Sequence, residues 1–181
     1  MHKRRAKILS TIAWFMVKFN ILALPMYIII ISGFSYEPFR VMIASLANLV
    51  LNGMGYATTQ YGPWIGSSIA SIDVSWDSTG WKSMYALVAL VLATPVKSSK
   101  LNFLAIGLPA VFLLNIARIV TTIGVTLSFG IQYFDILHLL LWREGLITAV
   151  VAIWGLWLWR EKDNIRKDQG IFRWALDKRD R

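Results

Sequence analysis

The sequence predicts an all-α integral membrane bundle of four to five transmembrane helices. A short extracytoplasmic loop, containing a short strand or a small β-hairpin, precedes one of them. Three observations carry this expectation. Hydrophobic residues make up 56% of the 181-residue chain and the mean hydropathy is +0.55, beyond the range of an ordinary soluble domain. Apolar stretches of the roughly 20 residues that cross bilayer hydrocarbon recur along the chain. Nine Trp and six Tyr suit membrane interfaces, where an apolar ring carries a polar edge. The whole of 1–181 reads as one membrane domain.

Four spans follow in order. The first covers about 8–33 and contains Lys18 and Pro25. The second covers 79–95. The third covers 101–127 and contains Asn115 and Arg118. The fourth covers 139–159, and the chain leaves it through "WGLWLWREKD", with Trp157 and Trp159 as interface anchors. Segment 38–56 is apolar, with Ser45, Asn48 and Asn52 at helical spacing on one face. It fits an interfacial helix, a re-entrant helix or a fifth span. In "ATTQYGPWIGSSIASIDVSWD", 57–77, Gly62-Pro63 marks a turn and "SIASIDVSW" alternates like a strand.

Charge orients the chain. Lys3, Arg4, Arg5 and Lys7 form one basic block, Lys97 and Lys100 a second, and the tail 160–181 a third. Such blocks mark the cytoplasmic side. Segment 57–77 has no Lys or Arg and belongs outside. Four spans place all three blocks inside, whereas five place the first one outside, so positive-inside bias favours four spans plus an interfacial or re-entrant helix. The tail suits anionic lipid better than nucleic acid. With no Cys, there is no disulfide framework. His2 and His138 are far apart and the acidic residues lack ligand spacing, so no metal is expected. Without a Gly-rich phosphate loop, no cofactor is expected either.

With 57–77 outside, Ser78, Arg118 and His138 fall at one level near the extracytoplasmic face of the cell membrane. Ionisable groups inside spans usually face a bundle interior or a wet cavity. The bland alternatives are that Ser78 caps a helix, Arg118 snorkels to headgroups, His138 sits at the interface and Lys82 is a surface charge. The sharper possibility is acyl transfer. A nucleophile at 78 would feel a helix N-terminus, His138 would act as base and then acid, and Arg118 would stabilise an oxyanion or orient the scissile peptide. Asp135, one helical turn before His138, could orient the imidazole.

The blocks "SIDVSWDSTGWKSM" (71–84), "LLNIARIVTT" (113–122) and "YFDILHLLLWREGL" (133–146) resemble, in order and spacing, the signature blocks of the exosortase/archaeosortase family. The resemblance covers about 40–160 and is to a minimal archaeal-type member. It implies a membrane cysteine protease/transpeptidase acting on exported proteins. The substrate would carry a C-terminal sorting signal of a short motif, a transmembrane helix and a basic tail. The new carboxyl end would pass to a lipid or other anchor. Carried over, Ser78 holds the nucleophile position, Arg118 and His138 complete the catalytic set, and Asn115 matches the asparagine of the second block. Asp77, Thr79, Gly80, Lys82 and Asp135 are supporting candidates. The family nucleophile is Cys, and this chain has Ser there. That implies a Cys-to-Ser form, introduced or natural, that is inactive or traps substrate, or else a natural serine variant.

Two other classes compete. Ser78 and Lys82, four residues apart, could share a helix face and form a Ser-Lys protease. Alternatively the chain is a non-catalytic membrane binding or assembly module.

Overall fold

The computed structural model describes residues 2–68, 70–95, 99–133 and 145–177, and within these the side chains of all but 2–8 and 163–177. Among the described residues there are five α-helices and one small sheet: α1 His2–Ile31, α2 Glu37–Gly53, β1 Thr59–Tyr61, β2 Trp64–Gly66, β3 Ser71–Asp73, α3 Trp81–Ala93, α4 Lys100–Phe129 and α5 Leu146–Asp177. A 3-10 turn, Trp76–Thr79, joins β3 to α3. The fold is mostly helical, and two helical segments, Leu9–Ile31 and Lys100–Phe129, are long and apolar enough to cross a membrane.

The helices differ from the expected spans in informative ways. α1 runs through Pro25 without a break. α3 has 13 residues, about 20 Å at helical rise, so it is shorter than the apolar run that encodes it. Part of 79–95 is spent on the turn into the helix and on the exit at Thr94 and Pro95. Residues 139–144 lie outside those described. α5 begins at Leu146 and continues through the basic segment to Asp177.

α3 is central, packing on α1, α4 and α5. Leu87, Val91, Leu104, Val111, Val150 and Trp157 form the bundle core. At one end, Trp154 Nε1 donates to Thr94 Oγ1 (3.0 Å), Trp157 Nε1 to Ser99 Oγ (3.2 Å), and Ser99 Oγ to Glu161 (2.6 Å). Phe15 stacks on Trp154 at the same level. The first half of α1, the α3–α4 connection and the second half of α5 therefore share one end. These are the segments that carry the basic blocks.

A second core lies along the other half of α4. Ile43, Ala44, Ala47 and Leu51 of α2 meet Ile116, Ile119, Val120 and Ile123 of α4, with Ile65 and Val74 closing it. Tyr56, just past α2, reaches Ser128 (2.9 Å) near the far end of α4. α2 thus runs beside the second half of α4. The polar stripe on α2 has a structural use. Ser45 Oγ donates to Gln60 Oε1 (2.8 Å), Thr58 Oγ1 to Asn48 Oδ1 (2.8 Å), and Asn52 Nδ2 to the Thr58 carbonyl (3.1 Å). The stripe seats the sheet.

The sheet is an antiparallel meander in the order β1-β2-β3. It has one strand more than a hairpin. Gly62-Pro63 makes its first turn, as the sequence indicates. Arg40 fastens β3 to α2, pairing with Asp73 (2.6 Å) and donating from Nε to the Val74 carbonyl (2.9 Å). This delivers the chain to the 3-10 turn at the mouth of the bundle.

Candidate active site

The chain enters α3 in two stages. In the 3-10 turn, the hydroxyl of Ser75 accepts from the Ser78 N–H and acts as the cap. Gly80 then takes φ +80° and serves as N-cap of α3. Left-handed backbone strains any residue with a Cβ, so glycine is the natural choice. Ser78 is therefore not the helix cap, and it does not open α3. It sits in the preceding turn with its hydroxyl 2.9 Å from that of Ser75.

Two α4 side chains, one helical turn apart, close on residue 78. Asn115 Nδ2 donates to the Ser78 carbonyl at 3.2 Å and Arg118 Nη2 to the same oxygen at 2.9 Å. Ser78 and Arg118 are each 8% exposed and Asn115 1%. Asn115 also lies against Gly80 so closely that a Cβ there would stand 2.6 Å from its Cγ. The sequence separation of 40 residues thus collapses to a hydrogen bond, and Ser78, Gly80, Asn115 and Arg118 form one cluster.

Arg118 borders a cleft of about 190 Å³ with Asp77, Gly80, Lys82, Ser83, Leu146 and Ile147. Among the described residues no acidic side chain pairs with it; Asp77, beside it in the cleft, pairs with Lys82 instead. A largely buried guanidinium without a counter-charge is costly unless its environment supplies one. One backbone carbonyl offsets part of that cost.

The other candidates divide. Lys82 Nζ is held by Asp77 Oδ1 at 2.8 Å, at the rim. Because Ser78 precedes α3, Ser78 and Lys82 do not share a helix face, and the Ser78 hydroxyl bonds Ser75 instead. Thr79 is fully buried and donates to the Trp76 carbonyl at 2.8 Å, which fixes the turn. His138 and Asp135 lie outside the described residues.

Sequence reasoning missed Ser75, Trp76 and Trp81. The two indoles stack at 5.3 Å between centroids, and Phe34 and Phe39 meet Trp76 edge-on. Among the described residues, three buried side-chain polar atoms lack a hydrogen-bond partner: Trp76 Nε1, Trp81 Nε1 and Asn115 Oδ1. All three flank residues 78–80. Native interiors leave few such groups unpaired, and those they leave tend to mark special sites. Two tryptophans five positions apart, flanking a polar tetrad, were the available signal. Searches against protein-family models, curated proteins and solved structures find no match to this chain.

Proposed function

We propose that the chain is a sortase-like membrane transpeptidase in which residue 78 occupies the nucleophile position and Ser replaces the thiol. The observation that carries it is Arg118: a buried cation without an acidic partner among the described residues, hydrogen-bonded to the backbone carbonyl of residue 78 and bordering a cleft. A negative charge forming at that place, on a thiolate or a tetrahedral oxyanion, would give this cation a counter-charge. The interaction is then stronger in the transition state than at rest, which is the requirement for catalysis.

With a thiol at 78, the thiolate sulfur attacks the scissile carbonyl carbon and the C–N bond breaks. The leaving amine takes a proton, and an acyl-enzyme remains for an acceptor hydroxyl or amine to resolve. His138 is the residue that the family resemblance assigns to move that proton. A serine hydroxyl starts from a far higher pKa than a thiol, so the chain with Ser78 binds and barely cleaves.

The level of the site supports a membrane bundle. Arg118 is 18 residues along α4 from Lys100, about 27 Å at helical rise, close to the roughly 30 Å of bilayer hydrocarbon. The site then sits at the bilayer boundary opposite the basic segments, where a sorting signal's soluble motif meets its own transmembrane helix. α2 and the sheet pack on the part of α4 that projects beyond. In the cell membrane this boundary is extracytoplasmic by the positive-inside rule.

The test compares the Ser78 chain with its Ser78→Cys and Ser78→Cys/Lys82→Met variants in lipid vesicles. Each is given a protein ending in a candidate sorting signal, itself validated on an active relative, and cleavage is followed by intact mass. Ser78→Cys is expected to cleave at least about 10²-fold faster than the Ser78 chain, and Lys82→Met to change that rate less than about threefold. Equal cleavage by the Ser78 chain, lost with Lys82→Met, identifies a Ser-Lys protease instead. Binding without cleavage by every variant identifies a binding module.

A further inference from the structure

The turn between β1 and β2 carries two large aromatic side chains that the site does not use. Tyr61 and Trp64 face each other directly across the strands and are 86% and 45% exposed. Directly opposed residues lie on the same face of a sheet. The alternate residues Gln60 and Ile65 turn the other way: Gln60 Nε2 donates to the Val41 carbonyl and Ile65 is buried in the α2–α4 core. Tyr61 and Trp64 thus project from the face opposite Gln60 and Ile65, flanking Gly62 and Pro63, with Asp73 on that same face drawn to Arg40 at the start of α2.

The position of this tip in the fold matters more than its exposure. The Val74 N–H donates to the Pro63 carbonyl at 3.0 Å. Val74 and Asp73 are held by Arg40 at the start of α2. Trp76, two residues on, contacts Phe34 just past the end of α1. A continuous set of contacts therefore runs from the end of α1 to the strand turn. The opposite end of the sheet points away: Thr58, just before β1, bonds Asn48 and Asn52 in the second half of α2, which leads to Tyr56 and the far end of α4. The tip is at the level where α1 ends, and the far end is one strand length beyond it. The segment 57–72 has no charged residue, and Asp73, directly opposite Trp64, is paired with Arg40, so the tip presents no unpaired charge to lipid.

We infer that Tyr61 and Trp64 are an interfacial anchor that inserts into the headgroup–acyl boundary of the bilayer. The occupant is the lipid surface itself. Aromatic rings with a polar edge partition to that zone. The sheet leads directly into the 3-10 turn, so anchoring its tip holds residue 78 at a fixed height above the hydrocarbon. The inference rests on the membrane reading, and the experiment separates the two.

Because the chain lacks Cys, single cysteines can be introduced freely. Tyr61→Cys, Ser71→Cys and Leu24→Cys are spin-labelled in phosphatidylcholine/phosphatidylglycerol vesicles. Collision with oxygen, which dissolves in lipid, is compared with collision with a water-soluble nickel chelate. Ser71 is exposed at the far end of the sheet, and Leu24 is exposed within the apolar segment of α1, two turns before its end. The oxygen-to-nickel ratio at 61 is expected to exceed that at 71 by about fivefold and to fall below that at 24. Equal, aqueous ratios at 61 and 71 with a lipid ratio at 24 overturn the anchor and leave the bundle standing. A label at 61 shielded from both agents assigns the tip to a protein contact and also overturns it. An aqueous ratio at 24 overturns the membrane reading and the anchor with it.

Discussion

Arg118→Met, placed in the Ser78→Cys background, is expected to lower the rate of cleavage about 10²–10³-fold, the usual effect of removing one preorganised donor from a developing oxyanion. Substrate capture by the same protein should change little, because the lost interaction is one that strengthens only as charge forms. The fold should survive: Asn115 still donates to the Ser78 carbonyl, and the methionine stem occupies the space of the arginine stem. Arg118→Lys should fall between, keeping the charge and losing the planar fork that reaches both residue 78 and the cleft. Single-turnover cleavage with a parallel pull-down separates the terms. A loss under tenfold for Arg118→Met would mean that the guanidinium only braces the turn.

The second large effect is on stability. Gly80→Ala is expected to cost about 2–5 kcal/mol. Part is the roughly 1–2 kcal/mol of forcing a Cβ into left-handed backbone; the rest is overpacking, about 1–3 kcal/mol where a side chain is driven into a filled site. Here the added methyl meets Asn115, which cannot retreat without releasing the Ser78 carbonyl. Gly62→Ala is the comparison: φ is +57° but no atom lies within 4 Å of the added Cβ, so only the conformational part, about 1 kcal/mol, is expected. Denaturant or thermal unfolding in detergent micelles reads both. Equal losses would show that the contact between Gly80 and Asn115 is looser than described.

Much of this architecture was legible in the sequence because bilayer-length apolar runs and charge blocks leave few choices. The two long apolar helices follow from hydropathy alone. The shared level of Ser78 and Arg118 followed from the topology of antiparallel helices, whereas Asn115 entered through the family resemblance. Three things were not legible. The 3-10 turn at Trp76–Thr79 looks in sequence like the first turn of α3, because Asp, Ser and Thr favour caps and tight turns alike; the φ of Gly80 decides between them. The stripe of Ser45, Asn48 and Asn52 reads only as a polar helix face, and the structure shows that it is spent on Thr58 and Gln60. The orphaned indole and amide atoms around residue 78 depend on what surrounds each group, which periodicity does not encode. The i, i+4 spacing of Ser78 and Lys82 misleads for a related reason: the spacing implies a shared face only if both residues are in one helix.

One measurement reaches the central claim, that residue 78 is a nucleophile position poised by Arg118, without knowing the substrate. Ser78→Cys creates the sole thiol in the chain, so its alkylation rate against pH in lipid vesicles reports that thiol alone. A neighbouring cation favours the thiolate and lowers the pKa, whereas burial alone raises it. The midpoint is expected below the ordinary thiol value of about 8.5, and Arg118→Met is expected to raise it by about one unit or more. A midpoint at or above the ordinary value that Arg118→Met leaves unmoved would contradict the claim.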